Sequence, residues 1–270
     1  MVARYPERRS LQARWSRRLG LFAVPLAVIT TLLHRFGNLD TVAGLALLGL
    51  TIAIALVALV LGIGAFAVIW QRGFKGMPQA LAGIVCALLV LAWPTWRAAH
   101  LVYLPAINDV TTDWFNPPQF HEAPRLRGPD DLSTDYPGQD FAIRQGAAYP
   151  EIVPLFLRHS ANEVYFAARE LVADNGWQEV EAIAPGFEGE GRIEAVARTL
   201  VFGFRDDVVI VIERQGPEET RVDMRSASRV GRHDFGENAA RIYNFLTDLT
   251  RRLDQPVLPD TESGSGQPLG

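Results

Sequence analysis

The chain has 270 residues, enough for one or two domains, and its formal charge of -4 is unevenly distributed. Residues 1–100 carry ten basic and two acidic side chains, whereas the remainder carries 16 arginines and 28 acidic residues. This division predicts a membrane module joined to an acidic soluble domain, and it argues against binding to nucleic acid. The single cysteine, Cys86, excludes an intramolecular disulfide.

Three apolar runs fill the first hundred residues. A membrane-spanning helix needs roughly 20 apolar residues, so the runs predict transmembrane helices at about residues 19–33, 41–70 and 80–102 of a membrane domain covering residues 1–104. The first run has only 15 residues and contains Pro25. It can span only if flanking side chains such as Arg17 and Arg35 extend to the water at its ends.

The basic residues predict an orientation for these helices. Six arginines precede the first run, and Arg72 and Lys75 lie between the second and the third. Basic loops remain on the cytoplasmic side of a membrane. The sequence therefore predicts an inner (plasma) membrane protein with a cytoplasmic N-terminus, lipid contacts through its helices, and residues 105–270 in the periplasm.

Prolines and turn residues dominate from residue 105 to about residue 157, which predicts a long extended arm with little regular structure. A segment of this length in a folded domain should lie against a folded body. Several of its apolar side chains need such a surface: Ile107, Val110, Phe115, Phe120 and Ile152.

The compact part of the chain follows the arm. Its periodicity predicts a helix in "NEVYFAARELVADNGW", strands at residues 177–184, 192–204, 207–214 and 220–226, and a helix in "DFGENAARIYNFLTDLTRRL". The run "VVIVI" is apolar at every position, which predicts a central strand covered on both faces. The order predicts an α+β domain at residues 105–254, with a four-stranded, mainly antiparallel sheet and two packed helices. The Pro/Gly/Ser-rich residues 255–270 are predicted to form a disordered tail.

Three segments, in this order, resemble the domain of unknown function 1499 family: "INDVTTDWFNPPQF", "GRIEAVARTLVFGFRDDVVIVI" and "VDMRSASRVGRHDFGENAARI". The resemblance covers residues 105–253 and departs from the family at Trp114 and Phe115, where small or acidic residues are more common. It implies a bacterial or plastid-related protein, often linked to a membrane, with no reaction tied to the family. It also implies that the arm belongs to the soluble domain.

The segment "RSASRVGRHD" places arginines and serines between a strand end and a helix N-terminus. Free backbone N–H groups and guanidinium groups both suit an anion. The candidate anion-binding residues are Arg225, Ser226, Ser228, Arg229 and Arg232. The alternative is an internal charge network, in which these arginines pair with Asp109, Asp113, Asp206, Asp207 or Asp223 and so tie the arm to the domain.

Enzymatic patterns are weaker. Ser226 or Ser228 with His233 and Asp234 offers the residue types of a catalytic triad, but there is no G-x-S-x-G motif and an adjacent His-Asp pair seldom orients as a triad requires. A metal site built from Asp109, Asp113, Asp207 and His233 would lack the usual ligand spacing. His121 and His159 are predicted to be isolated surface residues.

No catalytic residue, metal or cofactor is therefore predicted. The sequence favours a non-enzymatic envelope protein whose outer domain binds a protein partner or an anionic, lipid-like ligand. The alternative is a membrane-bound hydrolase that uses acidic residues, with or without a metal. A pocket lined by Arg225, Arg229 and apolar walls would favour binding, whereas three or four acids or histidines within coordination distance of one another would favour the metal enzyme.

Overall fold

A computed structural model describes residues 8–37, 39–101, 103–186 and 189–254 of the chain. The N-terminal part forms three helices that pack against one another: α1 (Leu11–Arg35), α2 (Thr41–Arg72) and α3 (Met77–His100). All three are long and apolar enough to cross a membrane. We call them the helical bundle. The predicted tail, residues 255–270, lies outside the described residues.

Helix α1 begins eight residues before the first apolar run. Ser10 caps it, because the Ser10 hydroxyl accepts the Ala13 N–H at 3.2 Å. The polar first turns extend the helix to 25 residues, a length of about 37 Å at the α-helical rise. The short apolar run is therefore part of a helix that is long enough to span.

The rest of the described chain forms what we call the sheet domain. Its elements are β1 (Asp109–Thr111), α4 (Ala123–Leu126), α5 (Gln139–Ala148), β2 (Leu155–Leu157), α6 (Ala161–Asp174), β3 (Gln178–Ile183), β4 (Gly191–Arg198), β5 (Arg205–Gly216), β6 (Glu219–Ser228) and α7 (Glu237–Leu253). The predicted order of helix, four strands and helix is confirmed for α6 to α7. All strand pairs are antiparallel, in the order β1-β6-β5-β4-β3 with β2 also on β6.

The sheet has six strands, so the predicted number of four is wrong. The two additional strands, β1 and β2, lie in the arm and share the outer edge of β6, where β1 pairs with its end and β2 with its beginning. Each has three residues, too few to show an alternating pattern. The arm also contains α4 and α5, so it is more regular than its composition predicts.

The two faces of the sheet are covered differently. On one face, apolar side chains of β4, β5 and β6 pack against α6 and α7. On the other face, Phe120 and Ala123 of the arm pack against Val209, Val211 and Ala227. Strand β5 is central and residues 208–212 are buried, which confirms the prediction from "VVIVI". The domain is therefore a three-layer structure of helices, sheet and arm.

The sheet domain contacts the helical bundle through residues 199–204, which we call the junction loop. The predicted second strand ends at Arg198 because the chain turns into this loop. Nδ1 of His34 lies 2.7 Å from the Phe202 carbonyl oxygen, and the rings of Trp93 and Phe202 are 4.8 Å apart. Arg97 of α3 forms an ion pair with Glu237 at the start of α7, at 2.9 Å. Contacts from α1 and α3 thus position the domain.

Candidate functional site

A layer of buried charges lies between the sheet and the arm. Arg225 on β6 is fully buried, and its Nε and Nη2 donate to the two carboxylate oxygens of Asp109 on β1, at 2.9 and 2.7 Å. Further hydrogen bonds from the guanidinium reach the carbonyl oxygens of Pro118 and Thr134, at 3.0 and 2.8 Å. The rings of two arm residues stack on the same group. Arg225 therefore serves as an internal attachment point for the arm.

Asp207 on β5 receives two guanidinium groups. Arg229 donates to it from Nη2 at 2.6 Å and Arg127 from Nε at 2.8 Å, and the Asp207 side chain is 1% exposed. Arg229 also donates to the carbonyl oxygen of Leu126 at 2.8 Å. These contacts join β5, the segment after β6 and the end of α4.

A third pairing lies nearer to the surface. Arg221 contacts Asp113 at 2.5 Å and Asp223 at 2.9 Å, and the Thr112 hydroxyl donates to Asp223 at 2.9 Å. Burial acts to raise the pKa of Asp113, but hydrogen bonds from the Asn116 and Phe115 N–H groups and from Arg221 hold that pKa below its usual value. Burial raises the pKa of Asp223. Asp113 is therefore held as a carboxylate at the arm's edge.

The remaining aspartate of the predicted network, Asp206, lies on the opposite face of the sheet. It pairs with Arg241 of α7 at 2.6 Å. Arg241 also donates to the Ser226 hydroxyl at 2.7 Å, and Asn238 donates to the Ser228 hydroxyl at 3.0 Å. Both serines are thus used to attach α7 to β6.

The N-terminus of α7 is occupied by a side chain of the protein. The Asp234 carboxylate accepts the N–H groups of Gly236 and Asn238, each at 2.9 Å, and burial raises its pKa. Nε2 of His233 lies 3.2 Å from the Leu104 carbonyl oxygen, and its Nδ1 accepts the Phe235 N–H. His233 is engaged with backbone groups there, whereas Asp109, Asp113 and Asp207 each pair with arginine.

Four of the five candidate anion-binding residues are therefore buried and bonded inside the domain: Arg225, Ser226, Ser228 and Arg229. Only Arg232 is exposed. It lines a cleft of about 630 Å³ beside β1, together with Asn108, Asp109, Ser133, Tyr136, Phe141 and Arg144. We call this space the arginine cleft.

Sequence reasoning missed Arg144, which lies on α5 at the edge of the arginine cleft. Its guanidinium lies 4.5 Å from the Phe141 ring centroid and donates to the Ala106 carbonyl oxygen at 3.0 Å. Within the described part of the chain, neither Arg144 nor Arg232 forms an ion pair with a carboxylate. Burial, together with the charge of Asp109, raises the pKa of Tyr136 to about 12, so this hydroxyl remains protonated at neutral pH.

A second group that sequence reasoning missed surrounds Glu194. This buried residue of β4 accepts the N–H groups of His121, Glu122 and Ala123, the latter two at 3.0 and 3.2 Å. Nδ1 of His121 lies 3.4 Å from Glu181, so His121 is exposed but not isolated. Ligand-type atoms of His121, Glu181 and Glu194 lie within 4.8 Å of one another. Because Glu194 already holds three N–H groups, its clear role is to anchor the arm. An acid inside the apolar run "IEAVA" was the available signal.

The chain combines three apolar helices with an antiparallel sheet, which has helices on one face and a buried ion-pair layer under the arm on the other. These features define a membrane-associated α+β protein. Residues 109–249 match the family described as protein of unknown function (DUF1499), and the chain belongs to that family. No curated protein matches the chain. The family match begins at Asp109 and therefore includes the arm with its ion pairs.

Proposed function

We propose that the sheet domain binds an anionic ligand in the arginine cleft. The observation that carries this proposal is the placement of Arg144 and Arg232 at one cleft, since neither guanidinium forms an ion pair among the described residues. Two carboxylates also line the cleft, but Asp109 is paired with Arg225 and Asp135 accepts a hydrogen bond from the Ser133 hydroxyl. Guanidinium groups form short, charge-assisted hydrogen bonds to carboxylates and phosphates. The volume of about 630 Å³ is typical of a small-molecule pocket.

The walls of the arginine cleft support a ligand that is partly apolar. Leu132, Pro137 and Phe141 line it beside the two arginines. Apolar walls with a few convergent polar groups are the usual arrangement of a binding site. This combination favours a small organic anion, or the headgroup region of a lipid-like molecule, over inorganic phosphate alone.

Binding is favoured over hydrolysis by the state of the acidic residues. Asp109, Asp113 and Asp207 would have to activate water or hold a metal in a hydrolase, but each forms an ion pair with an arginine. A carboxylate whose oxygens are engaged by a guanidinium has fewer free lone pairs with which to orient a water molecule or coordinate a metal.

Binding to the arginine cleft is expected to be measurable as thermal stabilisation of the full-length protein in detergent. Succinate and octanoate should raise the melting temperature, because a ligand that binds only the folded state stabilises it by mass action. Arg232→Gln or Arg144→Gln should weaken the apparent affinity by roughly tenfold or more, since a hydrogen bond to a charged group contributes about 1.5–3 kcal/mol.

Arg214→Gln is the matched control for this experiment, because Arg214 is an exposed arginine on β5 that does not line the cleft. Its affinity for both anions should equal that of the wild type. Glucose serves as the uncharged comparison. If neither anion shifts the melting temperature, or if Arg214→Gln weakens binding as much as Arg232→Gln, the proposal is wrong.

We further propose that residues 1–104 form a multi-pass membrane domain in the inner membrane, with residues 105–254 as a periplasmic domain. Six arginines before and within the first turns of α1, and the basic residues Arg72 at the end of α2 and Lys75 before α3, support a cytoplasmic N-terminus. The length of α1 supports three crossings, which carry the chain to the opposite side after α3.

A fusion experiment tests this topology. Alkaline phosphatase, which is active only outside the cytoplasm, should be active when fused near Gly266, and a fluorescent protein fused there should not fluoresce after export in an unfolded state. The same two reporters fused in the loop near Lys75 should give the reverse pattern. A fluorescent, phosphatase-inactive fusion near Gly266 would instead place this end of the chain in the cytoplasm and contradict the proposed topology.

A further inference from the structure

A second set of spaces lies at the junction of the helical bundle and the sheet domain. An apolar groove of about 310 Å³ runs between α1 and α3 and ends at the junction loop. A crevice of about 350 Å³ continues beneath the sheet domain. The two spaces have Trp93, Val201 and Phe202 in common. They therefore adjoin each other, and together they lead from the side of the bundle to the underside of the domain.

The groove opens on the outer surface of the bundle. Its side walls include Val28 of α1, which is 52% exposed, and Leu89 of α3, which is 68% exposed. Eleven of its twelve lining residues are apolar, the exception being Thr31. Since these residues belong to helices suited to crossing a membrane, the medium at the open side of the groove is the hydrocarbon of the bilayer.

The crevice has both aromatic and charged walls. Aromatic rings of Trp93, Trp96, Phe202, Phe204 and Phe235 line it, and so does the ion pair between Arg97 and Glu237, together with His233 and Asp234. The Arg97 guanidinium lies 5.7 and 5.8 Å from the ring centroids of Trp93 and Trp96, and 4.7 Å from that of Phe235. Aromatic residues are typical of the boundary between hydrocarbon and water. The crevice is therefore suited to the polar end of a lipid, whereas the groove is suited to its hydrocarbon chain.

The junction loop adds an independent observation. Leu200, at its tip, is 84% exposed and lines the crevice, and Val201 lies in both spaces. A loop that presents apolar side chains beside membrane helices is costly in water, whereas contact with lipid chains removes that cost. The loop is also fixed to the bundle, because Arg35 donates to the Thr199 carbonyl oxygen at 3.1 Å.

We propose that the groove holds one acyl chain of a bilayer phospholipid, which enters laterally between α1 and α3, and that the polar end of this lipid lies toward the crevice beneath the sheet domain. The occupant is a lipid because the open side of the groove faces the membrane and its walls are apolar. The chain would lie against the junction loop, so that the sheet domain contacts a lipid as well as the helices. The groove has no lining residue in common with the arginine cleft, and the proposal rests on the membrane location of the helices.

Photo-crosslinking tests the proposal with the full chain in phosphatidylglycerol–phosphatidylethanolamine nanodiscs that contain a phosphatidylglycerol with a diazirine on one acyl chain. After irradiation and digestion, label is expected on residues 199–204 and on Trp93, at a higher level than on the lipid-facing side of α2. If all exposed apolar positions of the wild-type protein are labelled equally, the proposal is wrong, and no variant is needed to reach this result. Absence of label from residues 199–204 contradicts it as well.

Two tryptophan substitutions separate specific occupancy from ordinary lipid contact. Ala27→Trp fills the groove, because Ala27 is one of its lining residues. Ala53→Trp is the matched control, since Ala53 is exposed on α2 and lines neither space. Ala27→Trp should lower the label on residues 199–204 to the level measured on α2, and Ala53→Trp should leave it unchanged. The proposal is overturned if the two variants have equal melting temperatures and change the label on residues 199–204 equally. It is also overturned if Ala27→Trp leaves that label unchanged. Arg232→Gln should not alter the label, which keeps this result independent of anion binding.

Discussion

Replacing Asp109 with alanine is expected to lower the free energy of unfolding by about 3–5 kcal/mol, because the substitution leaves a buried charge without its partner. Arg225 has no exposed surface and receives both of its carboxylate contacts from Asp109. Its remaining hydrogen bonds go to carbonyl oxygens of the arm, which cannot neutralise the guanidinium. The measurement is denaturant unfolding of the full-length protein in detergent.

Two further variants make this expectation specific. Asp130→Ala, at an exposed aspartate of the same arm, should change stability by less than about 0.5 kcal/mol. The double variant Asp109→Leu/Arg225→Met removes both charges together, so it should cost clearly less than the sum of the single substitutions. A loss below about 1 kcal/mol for Asp109→Ala, or strict additivity of the pair, would show that the ion pair is not what holds the arm.

Replacing Asp207 with alanine is expected to have a comparable or larger effect, because two guanidinium groups lose one shared carboxylate. The side chains of Arg127 and Arg229 are each 5% exposed, so neither can turn to solvent without moving the arm. A loss of about 3–5 kcal/mol is expected from a broken buried pair. Detachment of the arm should also speed tryptic cleavage after Arg125 and Arg127.

Asp248→Ala is the matched control for Asp207. Asp248 also pairs with an arginine, Arg251, but their side chains are 41% and 66% exposed. Such a surface pair contributes about 0–1 kcal/mol, and its loss should not change cleavage in the arm. If Asp207→Ala leaves both the unfolding free energy and the cleavage rate at the control values, the buried layer does not stabilise the arm.

Periodicity was sufficient to predict the elements that bury one apolar stripe. The helices α6 and α7 each have an apolar stripe, β6 alternates between apolar and polar residues, and β5 contains the continuous apolar run "VVIVI". Strands β1 and β2 have no such pattern, and Asp109 in β1 is a charged residue in a buried strand. Their position depends on β6, which follows them in the chain, so no local pattern could reveal them.

The contacts of the candidate site likewise depend on residues that are distant in the chain, so no local pattern could reveal them. The sequence indicated the aspartates of the ion-pair layer and two of its arginines, Arg225 and Arg229, but it could not match them, because pairing depends on strand register. Asp109 lies opposite Ala227 and next to Arg225 only once β1 is aligned with β6. Arg127 and Arg144 gave no separate signal, since a single charge in a turn or helix has the same appearance whether it is exposed or buried. Glu194 was marked only by its position inside the apolar run "IEAVA".

The position of β1 has a consequence for the order of events during synthesis. Asp109 leaves the ribosome 116 residues before Arg225, its partner, so the arm is made long before the strand that receives it. Contacts this distant in the chain form late, because the intervening loop must close first. Sheet strands β3 to β6 are consecutive neighbours and can pair as they emerge. A chain interrupted before β6 would consequently possess its three long apolar helices, but it would lack both the strand that β1 and β2 pair with and the Arg225 partner of Asp109, so the beginning and the end of the arm would have no attachment.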